Sequence, residues 1–262
     1  MRRHHFVANA LASRFEVAGV WQEEKAFQPL RYARSAEEKT VIERHFSARD
    51  ASEAEFFADH DRIPARSLSL PPGGCNKPDA IQEMRRMEPD VVLVFGTGLL
   101  ERVLIETFPG RILNIHLGLS PFYRGAGTNF WPLVNREPEY CGATIHFLDA
   151  GVDTGPVIAH VRPEIRDGDR PHEIGNRTIV AAATALGDAA LALGAGGVRS
   201  VSQTGGGRLY TRADFSADAV NRLYANFADG MIEEYRRDRV ARDAAIPLVR
   251  LEPVRPTERA AR

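Results

Sequence analysis

Hydrophobic positions in this chain come in short runs between polar stretches, and their period changes along the sequence. Phe6, Val7, Ala10, Leu11 and Phe15 fall at helical spacing within residues 4–15. A β-like run follows at 16–21. Residues 22–72 are then polar and helical in patches, with Ser35 and Ser52 as candidate N-caps. Beyond a Pro/Gly loop at 71–74, residues 77–87 read as a helix with Pro78 in its first turn. Residues 91–95, VVLVF, form an unbroken apolar run of the kind found in strands buried on both faces. The alternation repeats: a helix at 99–107, a strand at 112–116, a loop at 118–127 and a helix at 129–135. Strands at 143–148 and 156–161 precede a long Ala-rich helix that opens at 169–171 and ends near Leu193.

This order predicts an α/β domain over residues 1–195: an open, mostly parallel, twisted sheet with helices on both faces. Residues 194–207 hold six glycines and read as a linker. Ser216 then caps a helix with Val220, Leu223, Tyr224, Phe227, Met231 and Tyr235 on one face, and Gly230 is placed to divide it. Residues 196–262 are thus expected to be linker, helix and a tail that wraps the surface or frays. The helix is expected to pack on its own core, with a homodimer contact as the alternative.

Composition narrows the classes. Lys and Arg number 34 against 35 Asp and Glu in 262 residues, a net charge of −1, which disfavours a surface that tracks nucleic acid. The two cysteines, Cys75 and Cys141, make neither a metal pair nor a disulfide framework, so a reducing, cytoplasmic setting is expected. The first fifteen residues lack the apolar run of a signal peptide. The most apolar stretch, 179–197, is mostly Ala and contains Asp188, so a packed helix is expected rather than a membrane span.

Ligands of open α/β sheets bind beyond the carboxyl ends of the strands. Asn114 and His116 lie two apart on one strand and therefore point to one face. The turn DAGVDTG brings Asp149 and Asp153 beyond the next strand. An Asn that donates to an oxyanion, a His that donates or shuttles a proton and an Asp that orients the His suit acyl transfer. No Ser or Cys stands at motif spacing with a base, so direct attack by a bound acceptor is expected. His146 alternates with Ile145 and Phe147 and is read as structural. The remaining histidines form no HxH or HxxxH cluster, and no metal site is expected. FGTGLLE at 95–101 has glycines between strand and helix, but Glu101 replaces the third glycine of a dinucleotide fingerprint. Those glycines instead leave the backbone free to hydrogen-bond a heterocycle.

NIHLGLSPFYRG at 114–125, followed by GATIHFLDAGVDTGPVI at 142–158, resembles the folate-dependent formyltransferase family. That family includes glycinamide ribonucleotide, methionyl-tRNA and sugar-amine N-formyltransferases. The resemblance is strong over residues 75–160 and looser over 4–195. It implies a Rossmann-like formyltransferase core with Asn114, His116 and Asp153 as catalytic residues. It also implies 10-formyltetrahydrofolate as the one-carbon donor, with no metal. The donor's pterin would lie against Thr97, Gly98, Leu99, Leu100, Leu148, Asp149, Ala150 and Val152. The acceptor would lie against Leu119, Ser120, Tyr123, Arg124 and Gly125, and the Ser120–Pro121 bond is expected to be cis.

Family members open with a buried strand that this sequence lacks before its first helix. The competing explanations are a start codon placed too late, truncation or a strand replaced from elsewhere, and the expectation is a natural chain that begins upstream of Met1. The short C-terminal extension favours a small-molecule amine acceptor, such as an amino sugar on a nucleotide carrier, over transfer RNA. No nucleic-acid or membrane partner is expected. Glycinamide ribonucleotide and water (a formyltetrahydrofolate deformylase) are the alternative acceptors. A catalytically dead folate-binding or scaffold protein is the reading from a different class.

Overall fold

The computed structural model describes residues 1–254 apart from positions 26, 61 and 64. Helix α1 (Arg2–Ala12) is followed by β1 (Val20–Glu23), α2 (Ala36–Phe56) and β2 (Ser67–Leu70). Then come α3 (Pro78–Arg86), β3 (Val92–Phe95), α4 (Arg102–Thr107), β4 (Ile112–His116), β5 (Tyr123–Gly125) and α5 (Trp131–Val134). Strands β6 (Ala143–Phe147) and β7 (Val157–Val161) precede α6 (Pro171–Ala195), β8 (Arg208–Tyr210), α7 (Ala217–Ala228) and α8 (Met231–Ala244).

Among the described residues the strands form a four-stranded sheet in the order β3-β4-β6-β7 and two separate pairs, β1·β2 and β5·β8. The α/β architecture matches the sequence expectation, and three of the five ladders are parallel. The four-stranded sheet itself departs from it: β4·β6 and β6·β7 are antiparallel. The reason is local. Strands β6 and β7 are joined by the turn at 148–156, and a turn without a crossover helix reverses the chain. The β1·β2 pair shares no backbone ladder with the larger sheet. Side chains bridge the two instead: Glu23 accepts from the backbone N–H groups of Cys75 and Gly98, both at 3.0 Å, and Lys25 Nζ donates to the Gly96 carbonyl.

Period-2 alternation divides the central strands between two tasks. Leu113, Ile115, Ala143, Ile145, Ile158 and Ala159 pack against Ile179, Ala182, Ala183, Leu186 and Ala189 of α6 and against Val7 and Leu11 of α1. Asn114, His116, Thr144 and His146 occupy the intervening positions on β4 and β6 and face the other side. Helix α6 is long and apolar enough to cross a membrane by length and composition alone, yet 56% of its most apolar window is buried inside the fold. Alanine serves there because a small side chain lets the helix lie close on the sheet.

Helix α2 departs from the sequence reading between residues 22 and 72 in two ways. Helix α2 is one continuous element capped by Ser35, whose Oγ accepts from the Glu38 N–H at 3.2 Å. Ser52 lies inside α2 and caps nothing; its Oγ accepts from Asn176 Nδ2 at 3.0 Å. Beyond α6, residues 196–254 fold back onto the core. Leu223 and Ala219 of α7 and Met231, Ile232 and Tyr235 of α8 share a buried cluster with Trp131, Leu133 and Val134. The tail runs beside β7, where the His160 N–H donates to the Val249 carbonyl and the Val249 N–H donates to His160 Nδ1.

Burial holds several histidines in neutral form. Burial pushes His45 down to about 3, with His172 and Arg49 adding to the shift. Burial likewise pushes His172 to about 4, with help from Arg49 and Arg3, and His160 to about 4. In the unfolded chain these groups titrate near their ordinary value of 6.5. Between that value and the folded ones the unfolded state binds more protons, so stability falls as pH falls. The melting temperature should therefore drop progressively from pH 6.5 towards pH 4, and thermal melts of a His45→Gln/His172→Gln variant should show a shallower dependence.

Candidate active site

Four polar side chains meet where the carboxyl end of β4 meets β6. The antiparallel register places Asn114 opposite His146 and His116 opposite Thr144. Directly opposed residues have neighbouring side chains on one face. Asn114 Nδ2 lies 3.0 Å from His146 Nε2, and His146 Nδ1 lies 2.8 Å from the Phe147 carbonyl. A carbonyl only accepts, so Nδ1 carries the proton and Nε2 accepts from the Asn114 amide. Burial holds the His146 pKa below its ordinary value, with the neighbouring His116 adding to that, so the ring stays a neutral acceptor.

His116 is buried, and both of its ring nitrogens face acceptors. Nδ1 lies 3.2 Å from Asp153 Oδ2 and Nε2 lies 2.9 Å from the Tyr123 carbonyl. Only the doubly protonated ring satisfies both, so the geometry selects the imidazolium. Asp153 sits at φ 52°, in the left-handed region that Asp tolerates better than most residues. Burial alone would raise its carboxyl pKa, but the His116 ring and the Gly125 N–H at 3.0 Å outweigh it and hold the value below the usual range. Asp149 closes the same turn: its carboxylate accepts from Thr154 Oγ1 at 2.8 Å and from the Gly151 N–H at 3.1 Å.

Asn114, His116, His146 and Asp153 line one cavity of about 1000 Å³. Two chemical groups stand out among its other lining residues. The first is Thr97, Gly98, Leu99, Leu100, Leu148, Asp149 and Val152, which presents backbone amides and two well-exposed apolar side chains, Leu99 at 69% and Val152 at 44%. Ala150, expected with them, is not in the lining. The second combines Phe27, His45, Phe46, Phe130, His172 and Phe215 with Arg3, Arg49 and Arg212. The sequence reading attached no role in the site to this second group. Its members come from distant segments, and only the fold brings them together.

The loop after β4 corrects another expectation. Gly125 lines the cavity, but Leu119, Ser120, Tyr123 and Arg124 do not. Leu119 and Ser120 are fully buried, and the Ser120 N–H donates to Thr144 Oγ1 at 2.9 Å. Tyr123 is 1% exposed. Its hydroxyl donates to Glu137 and accepts from Asn135 Nδ2 at 2.9 Å and from Arg208, which leaves it no free direction in which to grip a ligand. Tyr123 acts through its carbonyl, which holds His116. The Ser120–Pro121 bond is cis, as expected. His146, read from the sequence as structural, lines the cavity and meets Asn114. Alternation showed its face, but only the β4·β6 register shows that Asn114 stands opposite. No cluster of His, Cys, Asp or Glu suited to a metal occurs among the described residues.

Comparison with known proteins agrees with this architecture. The formyl transferase family matches residues 17–189. The chain belongs to that family. It is 33% identical over 112 residues to the methionyl-tRNA formyltransferase of Trichlorobacter lovleyi, covering 42% of this chain and 35% of that one. It is 33% identical over 156 residues to that of Rhodococcus erythropolis, covering 59% and 49%. The alignments thus span a third to a half of the length of these two curated relatives. Two solved structures show the same fold at low identity. One is the formyltransferase PseJ of Anoxybacillus kamchatkensis, in complex with UDP-4,6-dideoxy-4-formamido-L-AltNAc and tetrahydrofolate, at TM-score 0.50, 18% identity, 79% of this chain and 97% of that one. The other is the phosphoribosylglycinamide formyltransferase of Anaplasma phagocytophilum, at TM-score 0.51, 14% identity, 80% and 92%.

Gly118, between β4 and the buried loop, tests how tightly the fold holds this site. A Cβ there would stand 2.6 Å from Thr128 Cβ and 2.7 Å from His116 Nε2. Gly118→Ala is expected to cost about 1–3 kcal/mol of overpacking, measured by urea unfolding.

Proposed function

We propose that this formyl transferase moves a formyl group from 10-formyltetrahydrofolate to the primary amine of a small molecule. The observation that carries the reading is the pairing of His116 with ionised Asp153 beside an Asn114 amide in one cavity. The first lining group fits the donor. Backbone groups of Thr97, Leu99 and Leu100 can meet the polar edge of a flat heterocycle, while exposed Leu99 and Val152 cover its faces. When bound there, the folate supplies an activated formyl group.

The protein's own residues supply the charge and the proton path. One N–H of the Asn114 amide is committed to His146, which aims the other into the cavity, where negative charge builds on the formyl oxygen as the amine attacks. His116 is a fixed positive charge next to that oxygen. Its direct donation to the oxygen requires the ring to release the Tyr123 carbonyl. Asp153 Oδ2 holds His116 through Nδ1. With a water in the cavity it carries the proton lost by the amine to the departing folate nitrogen, so protons balance without a covalent enzyme intermediate.

The second lining group favours an acceptor that combines a planar ring with negative charge. Phe46 and Phe215 stand 5.6 Å apart, Arg49 lies 4.7 Å over the Phe46 ring and Arg212 lies 5.9 Å over Phe27. Aromatic faces stack on a base and guanidinium groups pair with phosphate. An amino sugar on a nucleotide carrier carries both features. Transfer RNA is the competing acceptor, favoured by the names of the curated relatives and disfavoured by a net charge of −1.

The test is incubation with 10-formyltetrahydrofolate and a panel of nucleotide-linked amino sugars, glycinamide ribonucleotide and methionyl-tRNA, with the N-formyl product read by mass spectrometry. A sugar product supports the full reading; a tRNA product replaces the acceptor. Asp153→Asn should lower kcat by about 100-fold or more with the fold intact. His146→Phe keeps the volume and removes the acceptor for Asn114. It should lower kcat by about tenfold, less than the roughly 10²–10³-fold expected when a donor itself is removed in Asn114→Ala. Arg49→Ala should raise KM for the acceptor and leave KM for the folate unchanged.

A further inference from the structure

Gln203 lies beyond the region matched to the family, in the glycine-rich stretch that reads as a linker. In the structure this stretch is a strap across the site. Val201 and Val157 form an antiparallel bridge, each N–H donating to the other's carbonyl at 2.8 Å. Two residues on, Gln203 Nε2 donates to the Asp153 carbonyl at 2.8 Å and to the Gly155 carbonyl at 2.7 Å. Both neighbours are acceptors, so the amide's NH2 end must face them. Gly207 then passes so close to Pro121 that a Cβ there would stand 1.4 Å from its carbonyl oxygen. The Arg208 N–H donates to the Phe122 carbonyl at 2.9 Å, and β8 pairs in parallel with β5.

The strap thus touches both supports of His116. Through Gln203 it holds the turn that presents Asp153 Oδ2 to Nδ1, and through β8 it holds the strand whose Tyr123 carbonyl meets Nε2. Asp153 has a left-handed backbone, and such a residue keeps its geometry only when its surroundings fix it. The carbonyls that Gln203 ties are those of Asp153 itself and of the residue two further on. One side-chain amide supplies two donors, and both are used.

We infer that Gln203 is a positioning residue for formyl transfer, fixing the Asp153 turn against His116 and making the segment beyond the family core part of the active site. The inference rests on the roles given to Asp153 and His116 under the proposed function. The experiment therefore needs a readout independent of turnover. Gln203→Glu is nearly isosteric and sets a carboxylate against two carbonyls; Gln203→Ala deletes the amide without adding charge. Exposed Ser202→Ala is the control. The first readout is the downfield Nδ1–H proton resonance of His116 in the free, ¹⁵N-labelled protein, assigned as the signal missing from His116→Ala. The second is kcat and KM.

The resonance should be lost or broadened by exchange in both Gln203 variants and kept in Ser202→Ala. In the same variants kcat should fall by about 10- to 100-fold and KM for the folate should stay within about twofold. A resonance kept at full intensity in folded Gln203→Ala overturns the inference, whatever kcat does. So does a kcat equal to that of the unaltered protein. If no acceptor is formylated by any form of the protein, the proposed function fails, while the resonance still decides whether Gln203 holds the Asp153–His116 contact.

Discussion

The antiparallel ladder between β4 and β6 is the constraint on which the rest of the site depends. Its register sets Asn114 against His146 and His116 against Thr144. A slip of β4 by one residue would turn Asn114 and His116 into the apolar core and bring Leu113 and Ile115 out of it. The register is therefore fixed by packing on α6, and the cavity is lined by the face that packing leaves over. Thr144 completes the arrangement: its Oγ1 donates to the Gly118 carbonyl at 2.6 Å and accepts from the Ser120 N–H, which ties down the first turn of the loop beyond β4.

Much of this is legible in the sequence because it depends on local period. The i, i+2 spacing of Asn114 and His116 places both on one face, and VVLVF and NIH identify neighbouring buried strands. The glycine-rich Asp turn is recognisable from composition alone. What escapes is whatever needs a partner distant in the chain. The SLSL of β2 is too short and polar to stand out from its surroundings. Strands β5 and β8 have only three residues each and become strands only by meeting one another. Tyr123 and Arg124 look like ligand-binding groups in a polar loop, but Glu137, Asn135 and Arg208 claim the Tyr123 hydroxyl. His146 looks like a core residue until Asn114 is set opposite it.

Electrostatics in the cavity follows from the unequal treatment of its histidines. His116 meets a carboxylate and a carbonyl, so its charged form is the satisfied one. His45 and His172 lie close together beside Arg49, with ring centroids 4.8 Å apart, and stay neutral. His146 is neutral because burial and the nearby imidazolium both oppose a second charge. The guanidinium groups of the second lining group are themselves partly paired: Arg3 and Arg49 meet Glu53, and Arg49 meets Asp50.

The strap from Val201 to Tyr210 also bears on the order in which the molecule is built. The bonds from Gln203 reach back 50 residues to Asp153, and those from Arg208 reach back 85 residues to Tyr123. Contacts so distant in sequence form late, because a long loop must close before they return anything. A chain emerging from the ribosome therefore holds Asn114, His116 and Asp153 well before it holds the segment that fixes them. Until Tyr210 is clear of the exit tunnel, the nascent protein has these side chains without the contacts made by Gln203 and β8.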